Sequence, residues 1–280
     1  MDPSLQRIFW LASYPKSGNT WMRAFLASYV GEGGKPVPIN EIRNFTLSDT
    51  RQKFFDRAAG RPFISPDPMD SVRLRPAMQR LLAAEKPGNH FVKTHSAIGV
   101  VAGVPLISPE VTAGAIYILR NPFDLAPSYA RHFDLSLDEA IDRMTSPDNV
   151  AASPSGVVDV LGRWDDHVAS WTRAPGLRSV LARYEDMSAR PEKAFRKVLK
   201  FLRLPVDVAR LRRAMAASSF DALRAQEDRD GFHERPAHMA RFFAEGGVGR
   251  GRAKLSPAQR ARLREAFADA LAEHYGDLDV

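Results

Sequence analysis

Short apolar runs rich in β-branched and aromatic residues alternate along the chain with longer stretches of helical spacing. Ile8-Phe9-Trp10-Leu11-Ala12 reads as a first strand and His90-Phe91-Val92-Lys93-Thr94 as a second. Ala115-Ile116-Tyr117-Ile118-Leu119 reads as a third, and Ser179 to Tyr184 as a fourth. The third is apolar throughout, as a central strand of a parallel sheet covered on both faces should be. Helices are expected over Thr20–Tyr29, Pro76–Glu85, from Pro122 onward, Val157–Thr172, Pro191–Leu202 and Pro257 to about His274. The last opens on Ser256-Pro257-Ala258-Gln259, a capping-box pattern with proline at the first helical position. Gly31–Pro68 and Thr145–Gly156 are rich in Gly, Pro and polar groups and are expected to be irregular, the former with short helices. The alternation predicts an α/β fold, a single domain over residues 1–280 with a central parallel sheet flanked by helices.

Composition narrows the possibilities. At 280 residues, with 44% hydrophobic and 26% charged side chains, the chain can bury one large core. It has no cysteine, which excludes a disulfide scaffold, a thiol nucleophile and a thiolate metal site. No apolar run approaches the ~18 residues of a membrane span, and no basic stretch leads into a signal-type apolar segment, so a cytoplasmic protein is expected. The net charge is +7, but the arginines are scattered and form no dense block with interleaved aromatics. That charge suits a polyanionic small molecule better than a nucleic acid.

The chemistry gathers at the strand ends. Between the first strand and its helix lies Ser13-Tyr14-Pro15-Lys16-Ser17-Gly18-Asn19-Thr20-Trp21. Unpaired N–H groups at a helix N-terminus cradle anions, glycine allows close approach, and Lys16 adds a full charge. The same residues also suit an ordinary turn with serine and threonine as caps. The turn lacks the upstream glycine of the nucleotide-triphosphatase loop, and the third strand runs into Arg120-Asn121-Pro122 rather than a magnesium-holding aspartate. A P-loop-type kinase or hydrolase is therefore the alternative, not the first reading. Arg120 stands where α/β sheets bind ligands, although it could instead pair locally with Asp124. His95 directly follows the second strand, at the end where the turn also opens, and its neutral ring can accept a proton.

Tyr14 to Trp21 resembles the 5′-phosphosulfate loop of the cytosolic-type sulfotransferases, which use 3′-phosphoadenosine 5′-phosphosulfate (PAPS); Asn19 stands where threonine is commonest. The resemblance implies that Lys16, Ser17, Gly18, Asn19 and Thr20 grip the 5′-phosphate and that Trp21 contacts adenine. Arg120 to Tyr129 is similar to the family's 3′-phosphate motif, which places Arg120 and Ser128 on that phosphate. Tyr184 matches the tyrosine beside the adenine, and Ser218-Ser219-Phe220-Asp221 the segment whose aromatic packs on it. Trp164 to Trp171 resembles a helix of the family that we read as core packing, with no catalytic role for His167. Lys93-Thr94-His95 resembles the motif that carries the catalytic histidine, followed here by Ser96-Ala97 in place of the usual Leu-Pro. In Phe242 to Arg252, Ala244 and Glu245 replace two basic residues that help hold the 3′-phosphate, while Gly246 and the later glycines remain. Arg250, Arg252 or Arg241 is expected to substitute.

The function so implied is metal-free, in-line transfer of a sulfuryl group from PAPS to a hydroxyl or amine of a small-molecule, sugar or lipid acceptor. The desulfated product is 3′-phosphoadenosine 5′-phosphate (PAP). His95 would act as base, Lys16 would neutralise the bridging oxygen, and Lys93 would support the transferring group. The family's short dimer motif is not completed here, which leaves the oligomeric state open.

Overall fold

The structure is a computed structural model that describes residues 7–276. Its strands are β1 (Ile8–Ser13), β2 (Leu47–Ser48), β3 (His90–Thr94), β4 (Val100–Val101), β5 (Val104–Pro105), β6 (Thr112–Leu119), β7 (Val150–Ala152), β8 (Val158–Val160) and β9 (Ser179–Arg183). Its helices begin with α1 (Asn19–Val30), α2 (Ile42–Phe45), α3 (Gln52–Ala59), α4 (Pro68–Ala84), α5 (Pro122–Phe133), α6 (Leu137–Thr145) and α7 (Trp164–Thr172). They continue with α8 (Tyr184–Ala189), α9 (Pro191–Phe201), α10 (Val208–Ala217), α11 (Phe220–Asp230), α12 (Pro257–Ala266) and α13 (Ala268–Tyr275).

Five strands form the central parallel sheet, in the order β2-β3-β1-β6-β9. The α/β fold expected from the alternation is therefore the fold found. Six successive residues of β6 are buried, and Trp10 of β1 is fully buried. The indole N–H of Trp10 donates to Thr112 Oγ1 at 2.9 Å, so its one polar atom is not stranded. The register pairs Leu11 with Lys93 and Ala12 with Thr94, which lines up the C-terminal ends of β1 and β3. Ligands of open α/β sheets bind beyond such ends.

Local sequence explains most helix starts. Asn121 Oδ1 accepts from Phe123 N before Pro122, and Asp67 caps α4 before Pro68. The capping box at Ser256 forms as expected, both side chains bonding reciprocally. Other expectations are corrected. Val157 to Thr172 is not one helix: Val158–Val160 is the strand β8, paired antiparallel with β7, and α7 begins only at Trp164. The Val-Val-Asp-Val alternation has the period of a strand, and only the residues after it have helical spacing. β7 also falls inside the stretch expected to be loop, β2 inside the irregular segment after Gly31, and α4 starts eight residues before Pro76. The last helix breaks at Phe267, where φ is −122°.

The chain gathers into two compact units. One holds the stretch ending at Tyr14, Thr46–Tyr117 and Arg143–Leu181. The other holds Pro15–Phe45, Ile118–Asp142 and everything from Ala182 onward. The second has a core that includes Ala24, Ala27, Ile39, Leu223, Phe232 and Phe243.

Candidate functional site

The turn between β1 and α1 belongs to the second unit from Pro15 on. Lys16 (φ 72°) and Gly18 (φ 102°) both take left-handed backbone conformations. Glycine is needed at 18, because a Cβ there would lie 2.8 Å from Tyr184 Cδ2. Gly18 is also the N-cap of α1, with no side-chain cap and no acidic residue in the first turn. The positive end of the helix is thus left to an anion. The Ser17 hydroxyl and the Trp21 indole N–H are buried without hydrogen-bond partners among the described residues. A buried orphan donor costs about 1–3 kcal/mol, which a ligand oxygen would recover. These residues fit a phosphate-bearing ligand.

Arg120 is 8% exposed and ties this turn to the C-terminal glycine loop. Its guanidinium donates to Lys16 O at 3.3 Å and to Gly247 O at 3.1 Å, and lies 4.2 Å over the Tyr184 ring. Tyr184 Oη accepts from Gly247 N at 3.3 Å. Asp124 is not the partner of Arg120. Its two oxygens accept from Gly249 N and Gly251 N, each at 2.7 Å, and so clamp the loop from α5. Ser128 lies half-buried two turns into α5.

The adenine-side residues expected from sequence lie in the same unit. Trp21 meets Tyr184 edge-on at 5.5 Å. Ser219 caps α11 by accepting from Ala222 N, and the Phe220 ring lies where a Cβ on Gly246 would intrude at 2.5 Å. Asn19 is buried and Thr20 half-buried in the first turn of α1. Lys16 Nζ rests 3.6 Å above the Phe242 ring.

Glu245 pairs with Lys254 at 2.5 Å, and that ammonium holds its carboxyl below the usual carboxylate range. Its negative charge is therefore balanced inside the loop. Arg241 pairs with Asp228 at 2.9 Å, Arg250 is exposed and passes over Gly247, and Arg252 opens a single 3-10 turn. Ala244 borders a cavity of about 400 Å³ whose polar walls include Arg131, Asp134, His238 and Arg241.

The residues expected from sequence to serve proton transfer and charge support, His95 and Lys93, lie in the first unit. His95 follows β3 and is half-buried. Its Nδ1 is 2.7 Å from Ser13 O, the position reached by extending the β1–β3 register one residue. A carbonyl can only accept, so Nδ1 carries the hydrogen and the neutral ring keeps Nε2 as its proton-accepting nitrogen. Lys93, two residues earlier, is half-buried, and its carbonyl accepts from Asp49 N at 3.1 Å.

Sequence reading missed what surrounds this strand end. Arg75 of α4 is fully buried and reaches Asp49 Oδ2 at 2.9 Å, Ser96 Oγ at 2.5 Å and Val158 O at 2.9 Å. Ser96 in turn donates to Asp159 Oδ1 at 3.2 Å. Burial first, and the Asp49 charge second, push the Asp159 carboxyl up to about 6. The members are scattered from 49 to 159 with no common motif; the only trace in the sequence is Ser96 in place of the family's leucine. His167 is fully buried, and burial lowers its ring to about 4. It stays neutral, accepting from Tyr117 Oη at Nδ1 (2.9 Å) and donating from Nε2 to His95 O (3.0 Å).

Comparison with known proteins gives a consistent answer. Residues 6–276 match the family model described as "Sulfotransferase domain". Sulfotransferase 1B1 of Mus musculus is 26% identical over 224 residues, covering 76% of this chain and 64% of that protein. Sulfotransferase 1C2 of Homo sapiens is 26% identical over 218 residues, with the same two shares. The chain therefore spans just under two thirds of the length of these curated relatives. Among solved structures, mouse sulfotransferase SULT7A1 complexed with PAP aligns with a TM-score of 0.61 at 19% identity, covering 97% of this chain and 87% of its own. Retinol dehydratase in complex with androsterone and inactive cofactor PAP aligns at 0.64 and 17%, covering 99% and 83%. At these identities the two structures establish the fold. Among the described residues there is no helix long and apolar enough to cross a membrane.

Proposed function

Because the chain belongs to the sulfotransferase domain family, we propose that it transfers a sulfuryl group from PAPS to a hydroxyl or amine of a small acceptor. When bound, PAPS supplies the sulfuryl group and departs as PAP. Ser17, Gly18, Asn19 and Thr20 hold its 5′-phosphate against the N-terminus of α1. Arg120 and Ser128 hold the 3′-phosphate, and Trp21, Tyr184 and Phe220 enclose the adenine, with Ser219, Gly246, Arg250 and Arg252 completing the nucleotide set. His95 takes the acceptor's proton at Nε2, with Nδ1 donating to Ser13 O. Lys16 and Lys93 set positive charge where negative charge grows during transfer, and the step uses no metal.

The observation that carries this reading is the uncapped start of α1. Gly18 closes under Tyr184, and two buried donors stand beside it without partners among the described residues. That is a cradle built for an anion, followed directly by an aromatic residue suited to a base.

The test is a calorimetric titration of the protein with PAP, no metal added and ATP as the control. PAP is expected to bind at least about tenfold more tightly than ATP. Arg120→Ala should weaken PAP by about 10- to 100-fold, as loss of a charged hydrogen-bonding partner does. Absence of PAP binding, or an equal response to ATP, would overturn the reading.

A further inference from the structure

Four consecutive residues, Lys93 to Ser96, are held by a dense set of hydrogen bonds, among them the one from His95 Nδ1 to Ser13 O. Asp49 N donates to Lys93 O at 3.1 Å. The Thr94 hydroxyl donates to Asp49 Oδ2 at 2.8 Å and accepts from Ser96 N at 3.1 Å. His95 O accepts from His167 Nε2 at 3.0 Å, and Ser96 O accepts from the Trp171 indole N–H at 3.0 Å. The Ser96 hydroxyl is saturated: it accepts from Arg75 and from Val160 N (3.2 Å), and donates to Asp159.

These lines converge on Arg75. Its guanidinium reaches back to Asp49, which holds Lys93 and Thr94, and forward to Ser96, the residue after His95. The fork thus grips the strand end on both sides of His95. A fully buried arginine carrying two carboxylates within 4 Å is an expensive way to fill a core, since apolar residues of similar volume usually stabilise as well or better. Its cost is understandable if it fixes geometry, because catalytic side chains must be held to within about half an ångström.

We propose that Arg75, through Asp49 and Ser96, is a positioning residue that sets the His95 ring and the Lys93 stem for reaction. It touches neither donor nor acceptor. The inference rests on the assignment of His95 and Lys93 to sulfuryl transfer, but its test does not require turnover. The same array predicts that substitutions at Ser96 act on His95 specifically and leave the nucleotide residues of the second unit unaffected.

The experiment follows the His95 Nδ1–H proton by NMR in the full chain without nucleotide. Donated to Ser13 O, this proton should give a downfield signal that exchanges slowly with water. Ser96→Ala removes the hydroxyl node, while Arg75→Lys keeps the charge and loses the fork. In each folded variant the exchange rate is expected to rise by about tenfold or more, with circular dichroism and PAP affinity unchanged. An unchanged exchange rate in Ser96→Ala overturns the inference, even if Arg75→Lys fails to fold. If the wild-type protein does not bind PAP, the sulfuryl-transfer reading falls instead, and the exchange rates still decide the positioning claim.

Discussion

Asp159 shares one guanidinium with a second carboxylate, and its ionisation is opposed first by burial and next by the Asp49 charge. Arg75 from α4 and Lys93 from β3 favour the charged form but do not prevail, and the carboxyl titrates near 6 instead of its usual 3.8. A folded-state value above the unfolded one means that the native chain holds this proton more tightly. The resulting stability is complete below about 3.8 and is lost as pH rises through about 6. At pH 7.5 the ionised Asp159 is therefore a liability of about 1–3 kcal/mol. Asp159→Asn, which mimics the protonated acid, should raise stability by that amount at pH 7.5 and by progressively less toward pH 4. Urea unfolding at the two pH values measures this, and an equal gain at both would show that charge is not the cause.

The element that most needs explanation is the loop from Gly246 to Gly251. With no regular structure of its own, it is held by Asp124 at two backbone N–H groups, by Arg120 at Gly247 O and by Tyr184 at Gly247 N. Gly251 has no room for a side chain, because a Cβ would meet Asp124 Cα at 2.4 Å. Asp124→Ala should raise amide exchange at Gly249 and Gly251 by about 10- to 100-fold, since each N–H loses a charged acceptor. PAP affinity should fall by a smaller factor, because Arg120 retains its own contacts. Unchanged exchange would mean that the loop is held from elsewhere.

How much of this was legible depended on whether the signal was local. The strands β1, β3, β6 and β9, the Pro122 helix start and the Ser256 capping box are written in contiguous residues, and they were readable. So were the members of the phosphate turn, although sequence gave no hint that Tyr184 closes over Gly18. The strands β7 and β8 form a two-stranded sheet and are three residues long, too short to outweigh the helical spacing that follows Trp164. The Arg75 array was invisible because Asp49, Arg75, Ser96 and Asp159 meet only after the chain has folded. Asp124 was weighed as a partner for Arg120; what it holds instead lies 125 and 127 residues away.

At the scale of the molecule, the chain passes between its two compact units five times, since each is assembled from three separate stretches. No single cut separates them, and cooperative unfolding as one domain is the expected behaviour. Residues assigned to PAP lie in the second unit, those assigned to proton transfer in the first. A calorimetric scan should therefore show one transition that moves as a whole when PAP is added. At a hundredfold excess over Kd the added stability is about 2.7 kcal/mol, a rise of roughly 5–10 °C. Two transitions, with only one moved by PAP, would show that the units unfold independently.

The β1–β3 pairing also has a consequence for how the protein is made. Ile8 finds its neighbour at His90, and Trp10 finds the hydroxyl that satisfies its indole only at Thr112. At ribosomal speeds of about 5–20 residues per second, the first strand emerges roughly 4–20 seconds before its partners exist. Through that interval an apolar segment with open strand edges is available to any other nascent chain nearby. The yield of this protein in a cell should thus depend on the chaperones that meet Ile8–Ser13 during synthesis, more than on the stability of the finished fold.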